Sequence, residues 1–494
     1  MPEAPRPETL RPGRTALALV ALLGVATLLR VHEIGRQDFW IDELASLAVS
    51  RDGLEALVSR SEIDVHPPLY FALLHFWGRL FGESEAALRM LSVVPSVATV
   101  ALLFRLGTTL RDTRAGWIAA LLSATSLLAI DYAQEARSYA WLMFFSVLST
   151  HLLVRWRLRG LARDALLYAA CTAALLYTHY FSFLFVFAQA LYVFVAQSSK
   201  DVPRRFLLGW CGAVAVALLA FAPWLGTFLS QFASVRTGFW IEPPHALAWL
   251  WAPLSFLSWW GPWSESLAPA SFGIAVAFAA VLGTLAIVSR TSIGARLGAP
   301  DRADAALPAV EVTWLLGLWL TVPIACALLL SGFGVEVFSY RNTTVSAAAL
   351  WLLAAIWLSR IASSKLRAVL LAALLAPSLG QLPGYYREPH KDQWRAAAAF
   401  VEAGYHPDRD VLAFDAPFIR FAFGHYAALE DPVIVSLQGD TLPAAERLWL
   451  VRAYAGPDSR SRELVAAWGY QRRSHFAARN VEVELFERES QPAD

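Results

Sequence analysis

The sequence predicts a polytopic α-helical membrane protein that ends in a small α/β domain, and three observations carry that prediction. Of its 494 residues 57% are hydrophobic and only 16% charged, with 20 tryptophans and a mean hydropathy of +0.47. That mix lies outside the range of soluble globular chains. Apolar stretches long enough for a helical crossing, about 20 residues each, recur about eleven times. After Leu382 the text turns polar and alternates strand-like with helix-like segments.

The first apolar run, Thr15–Arg30, follows Arg6, Arg11 and Arg14. No small-residue cleavage site follows it and many more spans do, so it is expected to be a retained first helix with its N-terminus in the cytoplasm. The expected spans are Arg14–Val31, Ala86–Leu106, Gly116–Ile130, Tyr139–Val154, Ala165–Thr178, Phe181–Ala196, Phe206–Leu229, Pro269–Val288, Val312–Leu330, Thr344–Trp357 and Leu366–Leu379. Alternate loops then carry Arg105/Arg111/Arg114, Arg155/Arg157/Arg159/Arg163, Lys200/Arg204/Arg205, Arg290/Arg296/Arg302 and Arg360/Lys365/Arg367. Basic loops stay in the cytoplasm, so the other face is extracytoplasmic. That outer face receives Asp38, Asp42, Glu43, Asp64, His66, Asp131, Glu135, Arg137, His179, Glu242, Glu336 and Arg341. An odd number of spans also puts the C-terminal segment outside.

The segment His66–Gly82 is apolar but short, and counting it as a crossing would invert the arginine pattern. It reads as a helix lying at the outer interface, opened by Pro67 and Pro68. The domain organisation expected is a membrane domain over 1–382 and a soluble α/β domain over 383–494. In the latter, "KDQWRAAAAFVEAGY" and "RSRELVAAWGY" read as helices, and "DVLAFDA", "PVIVSL", "ERLWLVRAY" and "NVEVELFE" as strands. Trp394, Trp449 and Trp468 read as its core. The net charge of +1 gives no bulk attraction to nucleic acid. Neither GxGxxG nor GxxxxGK occurs, so no phosphate-cradling loop for a nucleotide is present. Cys171, Cys211 and Cys326 sit inside apolar runs and read as small buried hydrophobes.

Three polar constellations remain. In "WIDEL", Asp42 and Glu43 head a helical pattern. They read either as an N-terminal helix cap with a favourable dipole interaction, or as a general base or metal ligand at the membrane surface. Neighbouring helix positions point about 100° apart, so only one of the two acids faces a given reacting atom. In "DYAQEARSYAW", a helix would place Asp131, Glu135 and Tyr139 on one face with Arg137 pointing elsewhere. The bland reading there is charge pairing between helix ends. Third come His66, His179 and Arg341; a histidine alone at an interface is more often a satisfied structural residue than a ligand, and Arg341 either snorkels or binds an anion. No HExxH spacing supports a zinc site.

A base for a hydroxyl, cations for a phosphate and a membrane groove for a lipid tail together suit transfer of a sugar from a polyprenyl phosphate. The lipid phosphate is already a reasonable leaving group. The remaining work is to deprotonate the acceptor and to stabilise charge on the phosphate.

The order of "WIDE", "HPPLYFALL", "QEARSYAW", "YTHYFS" and "SYRNTTVSAAALWLLAA" resembles bacterial GT-C superfamily glycosyltransferases of the family 39/83 type, protein mannosyltransferase-like and aminoarabinose-transferase-like. The resemblance covers most of Arg14–Leu379. It implies a GT-C fold with interfacial helices in the first outer loop, a polyprenyl-phosphate-sugar donor, a glycan, lipid or protein acceptor, and a soluble extracytoplasmic C-terminal domain. It implies Asp42 as reaction-centre acid with Glu43 beside it, Glu135 and Tyr139 in the second polar motif, Arg137 on the donor phosphate, and His179 and Arg341 as substrate-binding residues. His66 stands before Pro-Pro where the aminoarabinose branch carries a lysine that contacts lipid phosphate. Asp42, Glu43 and Glu135 could hold a divalent cation such as Mg or Mn through oxygen ligands.

The expected function is therefore an inverting glycosyltransferase at the outer face of a bacterial plasma membrane. The alternative is a transporter or flippase of a lipid-linked substrate, which would carry ionisable groups near the bilayer midplane in two related halves. A membrane scaffold acting through its outer domain is a third reading.

Overall fold

The computed structural model describes residues 12–51, 53, 64–197, 202–237, 241–245, 247–257, 307–437, 445–454 and 460–488. In chain order the helices are α1 (Pro12–Val31), α2 (Ile41–Arg51), α3 (Leu69–Phe81), α4 (Glu85–Leu110), α5 (Thr113–Thr125), α6 (Leu127–Asp131), α7 (Tyr139–Arg159), α8 (Ala162–Leu176), α9 (Phe181–Ala196), α10 (Arg204–Phe221), α11 (Leu225–Thr237), α12 (Ala248–Ser255), α13 (Ala309–Gly332), α14 (Ala347–Arg360), α15 (Ser364–Arg387), α16 (Trp394–Glu402), α17 (Pro417–Tyr426) and α18 (Ser461–Ala467). The chain divides into two compact units. The first holds Met1–Ile34 and Val49–Gly384, and the second holds Gly35–Ala48 with Tyr385–Asp494. The acid-bearing segment "DFWIDELASL" thus folds with the C-terminal residues.

Every expected span within the described residues falls on a helix; Pro269–Val288 lies outside them. Six helical stretches are long and apolar enough to cross a membrane, or seven if the bent pair α5–α6 is one span. The others, α7, α8 and α9, have 21, 15 and 16 residues. The protein is accordingly a multi-pass membrane protein. The apolar segment after Pro67–Pro68 is the helix α3, and its start is tied down by Leu69 N–H donating to the Tyr177 carbonyl at 3.0 Å. Of the three cysteines only Cys171 is buried; Cys211 is exposed and Cys326 intermediate, because both stand on outward faces of apolar helices.

Two local features shape the first unit. Ser126 leaves the helical region with ψ 120° and breaks the α5–α6 rod by 57°. The carbonyls stranded at the break are met by Arg30, fully buried at the end of α1, which donates to Ala124 O at 3.0 Å and Ser123 O at 2.9 Å, and to Ser96 Oγ at 2.7 Å. Helices α4 and α5 meet through glycines. A Cβ on Gly107 would lie 3.0 Å from the Gly116 Cα, and one on Gly116 would run into the Phe104 carbonyl. Small residues let membrane helices approach to backbone contact.

The second unit is a five-stranded sheet of order β2-β1-β3-β5-β4, with β1 (Asp410–Phe414), β2 (Ile434–Val435), β3 (Arg447–Ala453), β4 (Tyr470–Ala478) and β5 (Val481–Arg488). β1 runs parallel to β2 and β3; β5 runs antiparallel to β3 and β4. The sequence reading missed β4, an edge strand whose Gln471, Arg472 and Arg473 are exposed and erase the alternation that marks a half-buried strand. It also missed α17. Trp394 and Trp449 are buried and Trp468 packs on the sheet core.

Gly116→Val is expected to lower the unfolding temperature in detergent, by the equivalent of about 1–3 kcal/mol, because backbone must move to admit the side chain. Gly212→Val, whose Cβ meets nothing within 4 Å, is the matched control and should change little. Equal melting of the two variants would contradict this packing.

Candidate active site

In the first unit, the residues flagged by sequence converge on one buried cluster. Asp64 is 7% exposed and bridges two basic side chains: its carboxylate accepts from Arg137 and from His66 Nδ1. A second Arg137 nitrogen lies 3.4 Å from Asp64 Oδ1 and 3.3 Å from His66 Nδ1. With Nδ1 engaged by a carboxylate, the His66 ring has a fixed orientation. The ring of His179 meets His66 edge-on at 4.8 Å between centroids, and Tyr139 stands 5.6 Å from His179 and 4.8 Å from Tyr132. Tyr132 is within electrostatic reach of Glu135 and Arg341, which brings the late motif into the same cluster.

His179 is 3% exposed, and its Nδ1 accepts from Phe181 N–H at 3.1 Å. The ring proton therefore sits on Nε2, a buried atom with no hydrogen-bond partner among the described residues. Burial, aided by His66 and Arg137, pushes the imidazole well below its ordinary pKa, so it is neutral. A buried N–H without an acceptor is costly unless a ligand supplies one.

The loop between α6 and α7 corrects one expectation. Tyr132–Gln134 form a 3-10 turn and Glu135 is extended at φ −121°, ψ 134°, so Asp131, Glu135 and Tyr139 do not share a helical face. The turn is held from outside: Gln134 Nε2 donates to the carbonyls of Arg30 and His32 at 3.0 and 2.7 Å, and Ser92 Oγ donates to Arg137 O at 3.2 Å. Arg137, expected to point away, turns instead onto Asp64. Asp64 was not singled out by sequence because nothing around it is periodic.

In the second unit the acid pair at the start of α2 is split between two roles. Glu43 is fully buried; its Oε2 accepts from Lys391 Nζ at 3.0 Å and from Trp40 N–H at 3.3 Å. The second contact is the back-reaching half of a capping box. Asp42, one position earlier, is half-buried. The cap reading of the pair thus belongs to Glu43. Among the described residues no group of three His, Cys, Asp or Glu could hold a metal ion, and Glu43 is already neutralised by Lys391.

Burial alone would raise the Asp64 pKa, but Arg137 and His66 outweigh it and hold the carboxyl well below the usual range. A depressed carboxylate stabilises the fold above its unfolded pKa, near about 4, and that contribution fades as pH falls toward the folded value. Asp64→Asn strands a buried guanidinium and is expected to cost about 3–5 kcal/mol. It should also flatten the acid limb of thermal stability below about pH 5. A variant that melts like the parent at both pH 7 and pH 4 would refute the pairing.

Residues 65–226 match the sequence profile of the dolichyl-phosphate-mannose-protein mannosyltransferase family, a stretch that includes His66, Glu135, Arg137, Tyr139 and His179. Comparison with curated protein sequences returns no match. The crystal structure of ArnT from Cupriavidus metallidurans bound to undecaprenyl phosphate superposes with a TM-score of 0.57 at 12% identity, over 96% of this chain and 98% of that one. The archaeal oligosaccharyltransferase AglB from Archaeoglobus fulgidus matches at a TM-score of 0.49 and 11% identity, over 95% of this chain and 74% of that one. The mycobacterial arabinofuranosyltransferase AftD matches at 0.48 and 14%, over 97% and 42%; these last two are too distant to bear on the argument. The profile match spans most of the buried cluster, and the fold is shared with ArnT along nearly the whole chain.

Proposed function

We propose that the protein transfers a sugar from a polyprenyl-phosphate carrier to a hydroxyl-bearing acceptor, a glycan, lipid or protein, at the extracytoplasmic face of a bacterial plasma membrane. The observation that carries this reading is the cluster itself. The cations and the orphan N–H expected of a phosphate site, His66, Arg137 and His179, lie together inside the stretch matching a family named for a lipid-phosphate-sugar donor. The solved fold neighbour is bound to undecaprenyl phosphate. The arginine-rich loops support about eleven spans, a cytoplasmic N-terminus, α3 at the outer interface and an extracytoplasmic C-terminal unit.

In this reading Asp42 takes the proton from the acceptor hydroxyl. The oxygen attacks the anomeric carbon in one displacement, the bond from that carbon to the phosphate oxygen breaks, and the configuration inverts. Arg137 and His66 stabilise the phosphate as charge builds on it, and the His179 Nε2–H donates to one of its oxygens. Asp64 orients both side chains and offsets the guanidinium charge, so that the product phosphate can leave. Glu135, Tyr139 and Arg341 line the same cluster and contact the sugar phosphate.

Purified protein in vesicles, given synthetic undecaprenyl-phosphate monosaccharides with a membrane extract as acceptor, should release undecaprenyl phosphate. Asp42→Asn is expected to fold normally and lose about a hundredfold or more in kcat/KM, the usual contribution of a general base. His179→Phe keeps the ring packing but lacks the donor, and should weaken transfer about tenfold. Undiminished transfer by Asp42→Asn would sink the assignment. Movement of the lipid-linked sugar across the bilayer without transfer would favour a transporter.

A further inference from the structure

We infer that the C-terminal unit sets the reaction acid in place, with Lys391, Asp392 and Arg395 acting as positioning residues for Asp42. This rests on the reading of Asp42 as the base. The geometry is a reciprocal cap. At the start of α2, Glu43 reaches back to the Trp40 N–H, and the next N–H is met from elsewhere in the chain. Asp392 Oδ2 accepts from Ile41 N–H at 3.2 Å, from 351 residues away. Helix α16 has no cap from its own Gln393 side chain. Asp38 Oδ2 accepts from Arg395 N–H at 2.8 Å, while Asp38 Oδ1 accepts from the Arg395 guanidinium at 2.6 Å. Each helix start is therefore finished by an aspartate belonging to the other's segment.

The joint is sealed on both sides. Gln37 Oε1 accepts from the N–H groups of His390 and Lys391 at 2.8 and 3.0 Å, and Phe39 N–H donates to Tyr426 Oη at 2.7 Å. Asp392 is 2% exposed and accepts from Tyr454, Trp394 Nε1 and Asn480 Nδ2 as well as Ile41; burial raises its pKa above the ordinary carboxylate value, and these bonds oppose the rise. The Lys391–Glu43 pair then neutralises the carboxylate next to Asp42.

A helix of 11 residues is marginal alone, and its first turn is where it frays. Asp42 sits in that turn. Misplacement of a reacting group by about 1 Å can cost a hundredfold in rate without touching substrate binding. The caps therefore act on turnover.

The test uses the full chain in vesicles with an undecaprenyl-phosphate monosaccharide as donor. Lys391→Met and Asp392→Asn are expected to lower kcat about tenfold or more with the donor KM within about twofold, and Lys391→Arg to retain most of the rate. The double variant Glu43→Gln/Lys391→Met leaves no buried charge single. It should recover the melting temperature lost in Lys391→Met and keep the low kcat, with faster amide exchange over residues 39–47. If kcat returns together with melting temperature, the pair is only a stability device and the inference falls. Full activity in Lys391→Met beside an inactive Asp42→Asn overturns the inference alone, whereas an active Asp42→Asn overturns the reading beneath it as well.

Discussion

Arg30 is the side chain on which the geometry of the first unit turns. A guanidinium with no exposure to solvent must find acceptors inside the protein. It finds them where helix α5 stops, in the carbonyls of Ser123 and Ala124, which the break at Ser126 leaves without N–H partners. Cation and break satisfy each other. Neither would be tolerable in an apolar interior alone, because an interrupted helix exposes backbone acceptors that lipid cannot meet. The carbonyl of Arg30 itself then accepts from Gln134. The same residue thus holds both the bend and the start of the polar loop that follows it, and Glu135 and Arg137 inherit their placement from it.

Both units show the same treatment of charge. Asp64 with Arg137, and Glu43 with Lys391, are ion pairs withdrawn from solvent. Such pairs contribute little net stability, because desolvation offsets much of their attraction. What they contribute is orientation: each fixes a carboxylate and a cation within hydrogen-bond geometry at one position. In each case a polar neighbour, His66 beside Asp64 and Asp42 beside Glu43, is the one to which the proposed mechanism gives chemistry. The acid pair is therefore asymmetric by construction. One acid is consumed in holding the helix so that the other can be presented by it.

The membrane spans were legible because apolar length and arginine placement are additive, local properties, and every expected span that is described falls on a helix. His66, Arg137 and His179 were legible as polar residues at span ends, where charge needs a reason. The way they meet was not. Helical spacing grouped Asp131, Glu135 and Tyr139, but Gln134 is drawn to carbonyls on α1 and the turn that results leaves Glu135 extended. Asp64 and Asp392 escaped notice for the same reason. Each matters through partners 73 and 351 residues distant, and no pattern in a short window encodes that. Asp392 stands two residues before a helix, where it reads as that helix's own cap rather than as the cap of another.

The separation of Gly35–Ala48 from Tyr385–Asp494 has a consequence for assembly. The segment bearing Asp42 is made early, yet its helix start, its buried glutamate and its Asp38 find their partners only in the last part of the chain. Contacts of such sequence separation form late, because loop closure must precede them. Until then Glu43 has no lysine to neutralise it and the first turn of α2 has no acceptor for Ile41. The buried cluster of Asp64, His66, Arg137 and His179 has no such delay, since these residues lie within one stretch of the first unit. A chain interrupted before Lys391 can therefore complete the cluster but cannot cap the acid. In this order of events the C-terminal unit couples completion of the polypeptide to the fixing of the helix that bears Asp42.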